Sequence, residues 1–113
     1  MIASGFRLRK ATDFSRTYKY GTSYNHQSFY IKALQSKVSK TRLAVVVPKK
    51  VSKKAVVRNR ARRRVYEICR LNWKQFQPGY TIIITAKTDL SEVPTQELET
   101  NIVRGLKNLK VIV

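Results

Sequence analysis

The residues best placed to do chemistry in this sequence are cations at helical spacing. Lys53 to Arg64 reads KKAVVRNRARRR, in which seven of twelve residues are Lys or Arg and none is acidic. A guanidinium group donates two parallel hydrogen bonds to phosphate oxygens and can also lie flat on an exposed base, which an ammonium does less well. Asn59 adds a neutral donor and acceptor among Arg58, Arg60, Arg62 and Arg63, and Arg70 follows further along the same segment. Lys49, Lys50, Lys53 and Lys54 surround its start, where the free N–H groups of a helix N-terminus favour anions. The chemistry assembled here is the holding of phosphates. A charge run can be a merely solvated face. Here, however, like charges fall at i, i+3 and i+4 and would repel one another in a helix unless a polyanion neutralised them.

A second set is aromatic. Phe14 and Tyr18 are four residues apart, and Tyr30 precedes Lys32 by two. Rings beside cations suit single-stranded nucleic acid, because stacking contributes about 1–3 kcal/mol per base and tolerates any sequence. For Phe14 the alternative is plain packing beneath its helix. Bond-making groups are scarce. His26 is the sole histidine and is expected to play a polar role in a turn, while Cys69 falls in an apolar stripe. With no second His or Cys at ligand spacing, a protein-held zinc site is not expected. Asp13 and Glu67 are isolated from other acids, so no pair is available for general acid–base work. No catalytic residue and no metal site are therefore expected in the protein.

Composition agrees. The chain has 113 residues and a formal net charge of +18, one domain's length and far more charge than solubility needs. Asp89, Glu92, Glu97 and Glu99 balance the basic residues of the last third, so the whole excess lies upstream of Thr81. Nucleic acid is the partner this implies. A single cysteine suggests a reducing compartment, by default the cytoplasm. No apolar run approaches the ~18 residues of a membrane span, and Met1 to Lys10 lacks the apolar stretch of a signal peptide, so no membrane partner is expected.

The elements that must position these groups follow from periodicity. Residues 1–11 read as a basic extended arm carrying Phe6 and Leu8. A short helix is expected from Thr12 as N-cap to Gly21 as C-terminal stop. Ser28 to Leu34 alternates Phe29, Ile31 and Ala33 against Tyr30 and Lys32, the pattern of a half-buried strand. Leu43 to Val47 is continuously apolar, as for a strand covered on both faces. From Lys54 to Phe76 a long helix is predicted, with Val57, Ala61, Val65, Ile68, Cys69 and Phe76 in one stripe. Asn59, Arg60, Arg63, Glu67 and Arg70 point away from that stripe and Arg62 lies at its margin. Pro78 and Gly79 introduce a strand at Tyr80 to Thr85, and a closing helix near Pro94 or Thr95 buries Leu98, Ile102, Leu106 and Leu109. Val111 to Val113 reads as a short edge strand or a frayed end. Strands separated by helices predict an α/β (α+β) two-layer sandwich, a small mixed sheet packed with helices, formed by residues 1–113 as a single domain.

The stretch Arg58-Asn59-Arg60, followed by Arg62 and Arg63 and preceded by Pro48-Lys49-Lys50 with Lys53, resembles the RNR signature of bacterial ribonuclease P protein components. The Arg7-Leu8-Arg9 arm, Asp13-Phe14 opening a helix that ends at Gly21, the strand after Gly79 and the closing helix match in order. The resemblance implies a fold like domain 2 of ribosomal protein S5, with a left-handed βαβ crossover where pattern alone would predict the right hand. It implies a protein subunit that binds a catalytic RNA and the 5′ leader of precursor tRNA. The RNA, using Mg2+ that it holds itself, removes the leader. By the same likeness Lys49, Lys50, Lys53, Arg58, Asn59, Arg60, Arg62, Arg63 and Arg70 would touch the catalytic RNA, and Phe14, Tyr18, Tyr30 and Lys32 would line the leader cleft. Lys32 stands where the family more usually has an aromatic or aliphatic residue, which would replace stacking with phosphate contact. The family's acids near the first helix are reduced here to Asp13. Two rivals from other classes are a ribosomal structural protein and a nuclease acting alone, the second of which needs an acid–base or metal site that these residues do not offer.

Overall fold

The computed structural model describes residues 6–35 and 40–113. In chain order it contains helix α1 (Ala11–Tyr20), strands β1 (Thr22–Asn25), β2 (Phe29–Gln35) and β3 (Arg42–Val46), helix α2 (Ala55–Leu71), a 3-10 turn (Trp73–Gln75), strand β4 (Tyr80–Ala86) and helix α3 (Thr95–Asn108). The four strands form one mixed sheet in the order β1-β2-β4-β3. Pairing is antiparallel except between β3 and β4, which run parallel and are joined through α2. This is the α+β sandwich expected, with its βαβ unit where the arginine helix was predicted.

Strand alternation divides the side chains between two faces. Phe29, Ile31 and Ala33 of β2, Leu43 and Val45 of β3, and Ile82 and Ile84 of β4 form the main core with Ala61, Val65, Ile68 and Cys69 of α2 and Leu98, Ile102 and Leu106 of α3. On the opposite face Leu8, Ala44 and Ile83 make a smaller cluster against which Phe14 and Val46 pack. The isoleucine run of β4 is buried throughout because both of its faces are covered.

Several boundaries differ from the sequence reading. Residues 1–5 of the expected arm lie outside the described residues. From Phe6 onward the arm is part of the fold: Arg7 bridges to Leu43, the Leu8 N–H donates to the Leu43 carbonyl at 2.9 Å, and Leu8 is buried. Helix α1 starts at Ala11 with Lys10 at its cap, whose carbonyl accepts from the Asp13 and Phe14 N–H groups, so Thr12 lies inside the first turn instead of capping it. Helix α2 stops at Leu71 instead of reaching Phe76. The Asn72 N–H donates to the Ile68 and Cys69 carbonyls at 3.3 and 3.2 Å and its side-chain amide competes for the Ile68 carbonyl at 2.8 Å, after which the chain tightens into the 3-10 turn. Phe76 pairs instead with Ile112. Strand β1 was not foreseen: it is four residues long, mostly exposed and polar. The turn after it closes on His26, whose Nδ1 accepts the Ser28 N–H at 3.0 Å. Leu109 follows α3 at its C-cap and is only partly buried. Of Val111 to Val113, Ile112 makes a single antiparallel bridge to Phe76 in place of a full edge strand, and only Val113 is exposed. Lys110 takes a positive φ of 64°, the Val111 N–H returns to the Leu106 carbonyl at 2.9 Å, and Val111 and Ile112 are buried in the main core.

Gly21 sets how closely α1 approaches the sheet. A Cβ there would stand 2.5 Å from the Thr17 carbonyl oxygen and 3.0 Å from that of Ala33. Both are backbone atoms that cannot rotate away, and the φ of −73° suits any residue, so the requirement is for space. Gly21→Ala is expected to lower unfolding free energy by about 1–3 kcal/mol, the usual range for overpacking. Ser23→Ala on the exposed edge should stay within about 0.5 kcal/mol. Urea midpoints of the two variants would check this, and equal midpoints would mean that α1 can retreat without cost.

Candidate nucleic-acid interface

Helix α2 owes its orientation to its stripe. Ala61, Val65, Tyr66, Ile68 and Cys69 are buried, and the Tyr66 hydroxyl accepts the Val45 N–H of β3 at 3.2 Å. The Arg7 guanidinium lies 5.0 Å from the centre of the Tyr66 ring, so the segment that leads into α1 is held on the same anchor. Burial pushes the Cys69 thiol up to about 12, which leaves it a packing residue and a poor nucleophile. With that face fixed, Asn59, Arg60, Arg63 and Arg70 are exposed and Arg58 and Arg62 are half-buried.

These cations are not equivalent. Among the described residues Arg60 and Arg63 form no hydrogen bond or ion pair, although the Arg60 charge, after the hydrogen bonds from Ser91, helps to hold the Asp89 carboxyl below its usual range. Arg58 folds back to donate to the carbonyls of Ser52 and Lys53 at 2.9 and 3.0 Å, tying down the loop that carries the lysines. Lys49, Lys50, Lys53 and Lys54 are all exposed at this end of the helix. Arg62 donates to Asn59 Oδ1 at 2.7 Å, so these two side chains act as one unit. Arg70 is the departure from expectation. Its Nε donates to Glu67 Oε2 at 2.9 Å and its Nη2 to Oε1, a two-pronged pair one turn apart. Those hydrogen bonds, and then the Arg70 charge, hold the Glu67 carboxyl at about 2. A carboxylate with a lowered value keeps its partner above that value and loses it only as pH falls through about 2, so near neutrality Arg70 is already matched. The outward basic face therefore weakens toward the C-terminal end of α2.

Arg64 has a separate task that spacing did not reveal. Its Nη1 donates to the Leu90 carbonyl at 2.7 Å, and its Nη2 donates to the Val93 carbonyl and to Thr95 Oγ1. It ties α2 to the segment that leads into α3.

The aromatic set lies on the face of the sheet away from α2 and α3. Phe14 is half-buried against Leu8, Ala44, Ile83 and Val46, so the packing alternative accounts for much of its ring. Tyr18, one turn on, is 39% exposed. Lys32 pairs in register with Ile83, and Tyr30 with Thr85, which puts both side chains on Phe14's side of the sheet. Sequence reasoning passed over Lys87. It follows β4, its Nζ donates to the His26 carbonyl at 2.9 Å, and it lies 6.0 Å from the centre of the Tyr30 ring. Only the register of β4 on β2 brings it there.

Comparison with known proteins meets this geometry at its most distinctive point, the arginine helix within a βαβ unit. The family model described as ribonuclease P matches residues 3–110. The chain belongs to the ribonuclease P protein family. A ribonuclease P protein component from Pseudanabaena sp. is 36% identical over 99% of this chain and 97% of its own length. One from Clostridioides difficile is 34% identical, covering 90% of this chain and 86% of its own. Among solved structures, the RNase P protein of Staphylococcus aureus superposes with a TM-score of 0.84 at 28% identity, covering 96% of this chain and 98% of that one. That of Thermotoga maritima gives 0.80 at 29%, covering 90% and 96%. Membership of the ribonuclease P family supports a role in ribonuclease P and implies association with its RNA. Among the described residues, no helix is long and apolar enough to cross a membrane.

The division of labour on α2 can be tested without any ligand. Arg64→Ala removes charged hydrogen bonds to two carbonyls and is expected to cost about 2 kcal/mol of stability. Arg63→Ala, on the free face, should change stability by less than about 0.5 kcal/mol. Thermal unfolding of both variants separates structural arginines from exposed ones, and equal melting temperatures would contradict the assignment.

Proposed function

We propose that this chain is the RNA-binding subunit of the ribonuclease P ribonucleoprotein and contributes no catalytic residue itself. On this reading the exposed face of α2 lies along the backbone of the catalytic RNA through Arg60, Arg63 and the Asn59–Arg62 pair. Lys49, Lys50, Lys53 and Arg58 extend the contact around the helix N-terminus, where backbone N–H groups also meet phosphate. Arg70 contributes less, because Glu67 already matches it. The observation that carries the reading is the pair Arg60 and Arg63, exposed on a helix whose other side is fixed in the core and without an ion-pair partner among the described residues.

The second half of the proposal concerns substrate. The 5′ leader of precursor tRNA would lie between α1 and the sheet, with Tyr18 and Tyr30 offering ring faces, Lys32 a phosphate contact, and Phe14 the floor. Lys87, beside Tyr30, joins that set. Holding the leader raises affinity for precursor over mature tRNA. Cations between two RNAs reduce their mutual repulsion and hence the Mg2+ needed. The Mg2+ belongs to the RNA. Among the described residues no three His, Cys, Asp or Glu side chains stand together, so no step is assigned to a protein-held ion. The cytoplasm is the compartment in which such a complex would work.

Reconstitution with a bacterial ribonuclease P RNA at low magnesium, with and without this chain, tests the reading as a whole: cleavage of precursor tRNA should rise with the chain and be absent with the chain alone. Arg60→Ala and Arg63→Ala should each reduce the slope of log affinity against log salt by about 0.7–0.9, one phosphate's worth, whereas Arg70→Ala should change it by much less. Unchanged slopes for the first two would remove their phosphate role. Tyr18→Ala should weaken binding of precursor about 5- to 100-fold, the range of one lost stack, and leave mature tRNA unaffected. Equal losses for both substrates would rule out the leader assignment.

A further inference from the structure

Between α2 and α3 runs a groove of about 460 Å³, lined from α2 by Arg60, Arg63, Arg64, Glu67, Ile68 and Leu71 and from the α3 side by Thr95 and Glu99, with Glu67 already paired to Arg70. Its ends are braced. Arg64 spans to Leu90, Val93 and Thr95 at one end, and at the other Asn72 Nδ2 donates both to Ile68 O at 2.8 Å and to Glu99 Oε2 at 3.0 Å. The helices therefore hold a fixed separation before anything enters. Leu71 closes the last turn of α2 and is 63% exposed, although Ile68 beside it is buried. A large apolar side chain left in water two to three turns along the groove from two exposed arginines makes a surface of two characters, cationic at one end and apolar at the other, with Glu67 between them.

We infer that this groove receives an unpaired nucleotide of the RNA partner, its phosphate on Arg60 and Arg63 and its base over Leu71 and Ile68, with Glu99 accepting from an exocyclic amine. This rests on the RNA-binding reading above and specifies what one part of that surface takes. Helix rise puts Leu71 about 12 Å along α2 from Arg63 and about 16 Å from Arg60, a gap that the long arginine side chains help a nucleotide to bridge. Duplex RNA keeps its base faces stacked inside and presents phosphate, sugar and polar base edges, so it would leave the apolar end unused, whereas an extruded nucleotide fills both ends. An apolar segment of a protein partner would meet Leu71 but leave Arg60 and Arg63 unmatched, and the +18 charge of the chain favours a polyanion. The carboxylate sets the base preference: adenine, cytosine and guanine carry an exocyclic amine that Glu99 can accept, and uracil has none.

The test uses the full chain with single-stranded oligoadenylate and oligouridylate as probes. Wild type should prefer oligoadenylate. Leu71→Ser should lower oligoadenylate affinity roughly fivefold to tenfold, as for loss of one weak stacking contact, with the salt slope unchanged. Glu99→Ala should bring the two oligomers closer together in affinity. Circular dichroism melts of each variant check that the fold persists, and a crosslinking residue at position 71 in the reconstituted complex should label an unpaired A, C or G. If wild type binds RNA with a slope that Arg60→Ala reduces, while Leu71→Ser and Glu99→Ala match wild type, the groove inference fails alone. If the crosslink falls in duplex RNA or on a uridine, it is likewise overturned. If wild type binds neither oligomer nor the ribonuclease P RNA, the RNA-binding reading falls with it.

Discussion

Like charges will not stay together unless another force holds them, and here that force is burial of one side of α2. Val65, Ile68 and Cys69 are locked against the sheet while Tyr66 is bonded to β3, so the backbone that carries the arginines cannot turn or fray to relieve their repulsion. The exposed face is thus preorganised by contacts on its far side. Binding a polyanion then removes repulsion without asking the helix to rearrange, and little ordering cost falls on the association step.

The two faces of the sheet serve the two ends of this arrangement. The face that packs α2 and α3 is large and apolar, and the stability of the fold rests mainly on it. The other is covered only in part, by Leu8 and Phe14, and leaves Tyr30 and Lys32 accessible beside α1. Strand alternation is what allows adjacent residues of β2 to serve a core and a surface at once. It also explains why β4 cannot alternate. With both faces covered at its centre it needs Ile82, Ile83 and Ile84 in succession, and this run is the most legible strand in the sequence.

What could be read in advance was whatever repeats along the chain. The periods of β2, β3, β4, α2 and α3 placed those elements to within a few residues, and the outward position of Arg60 and Arg63 followed from the stripe opposite them. What could not be read depends on groups far apart or on competition at a single residue. Strand β1 is short and polar and exists because β2 offers it an edge. The end of α2 was overrun because Phe76 continues the apolar period, while the side-chain amide of Asn72 intervenes. Arg64 looked like one more member of the basic run, since its partners lie 26 to 31 residues away. The matching of Arg70 was within reach, because Glu67 stands three residues before it, the spacing at which helix side chains meet. Membership of the ribonuclease P family does not by itself distinguish these arginines from one another; their hydrogen bonds do.

The tight approach at Gly21 has a bearing on how the surface between α1 and the sheet can change over time. There, main chain rests on main chain, so the gauge between α1 and the sheet is set by atoms that every amino acid shares. Rings and cations lining that gap can be exchanged one at a time while its width stays constant. A surface built this way can exchange its side chains without first having to be refolded.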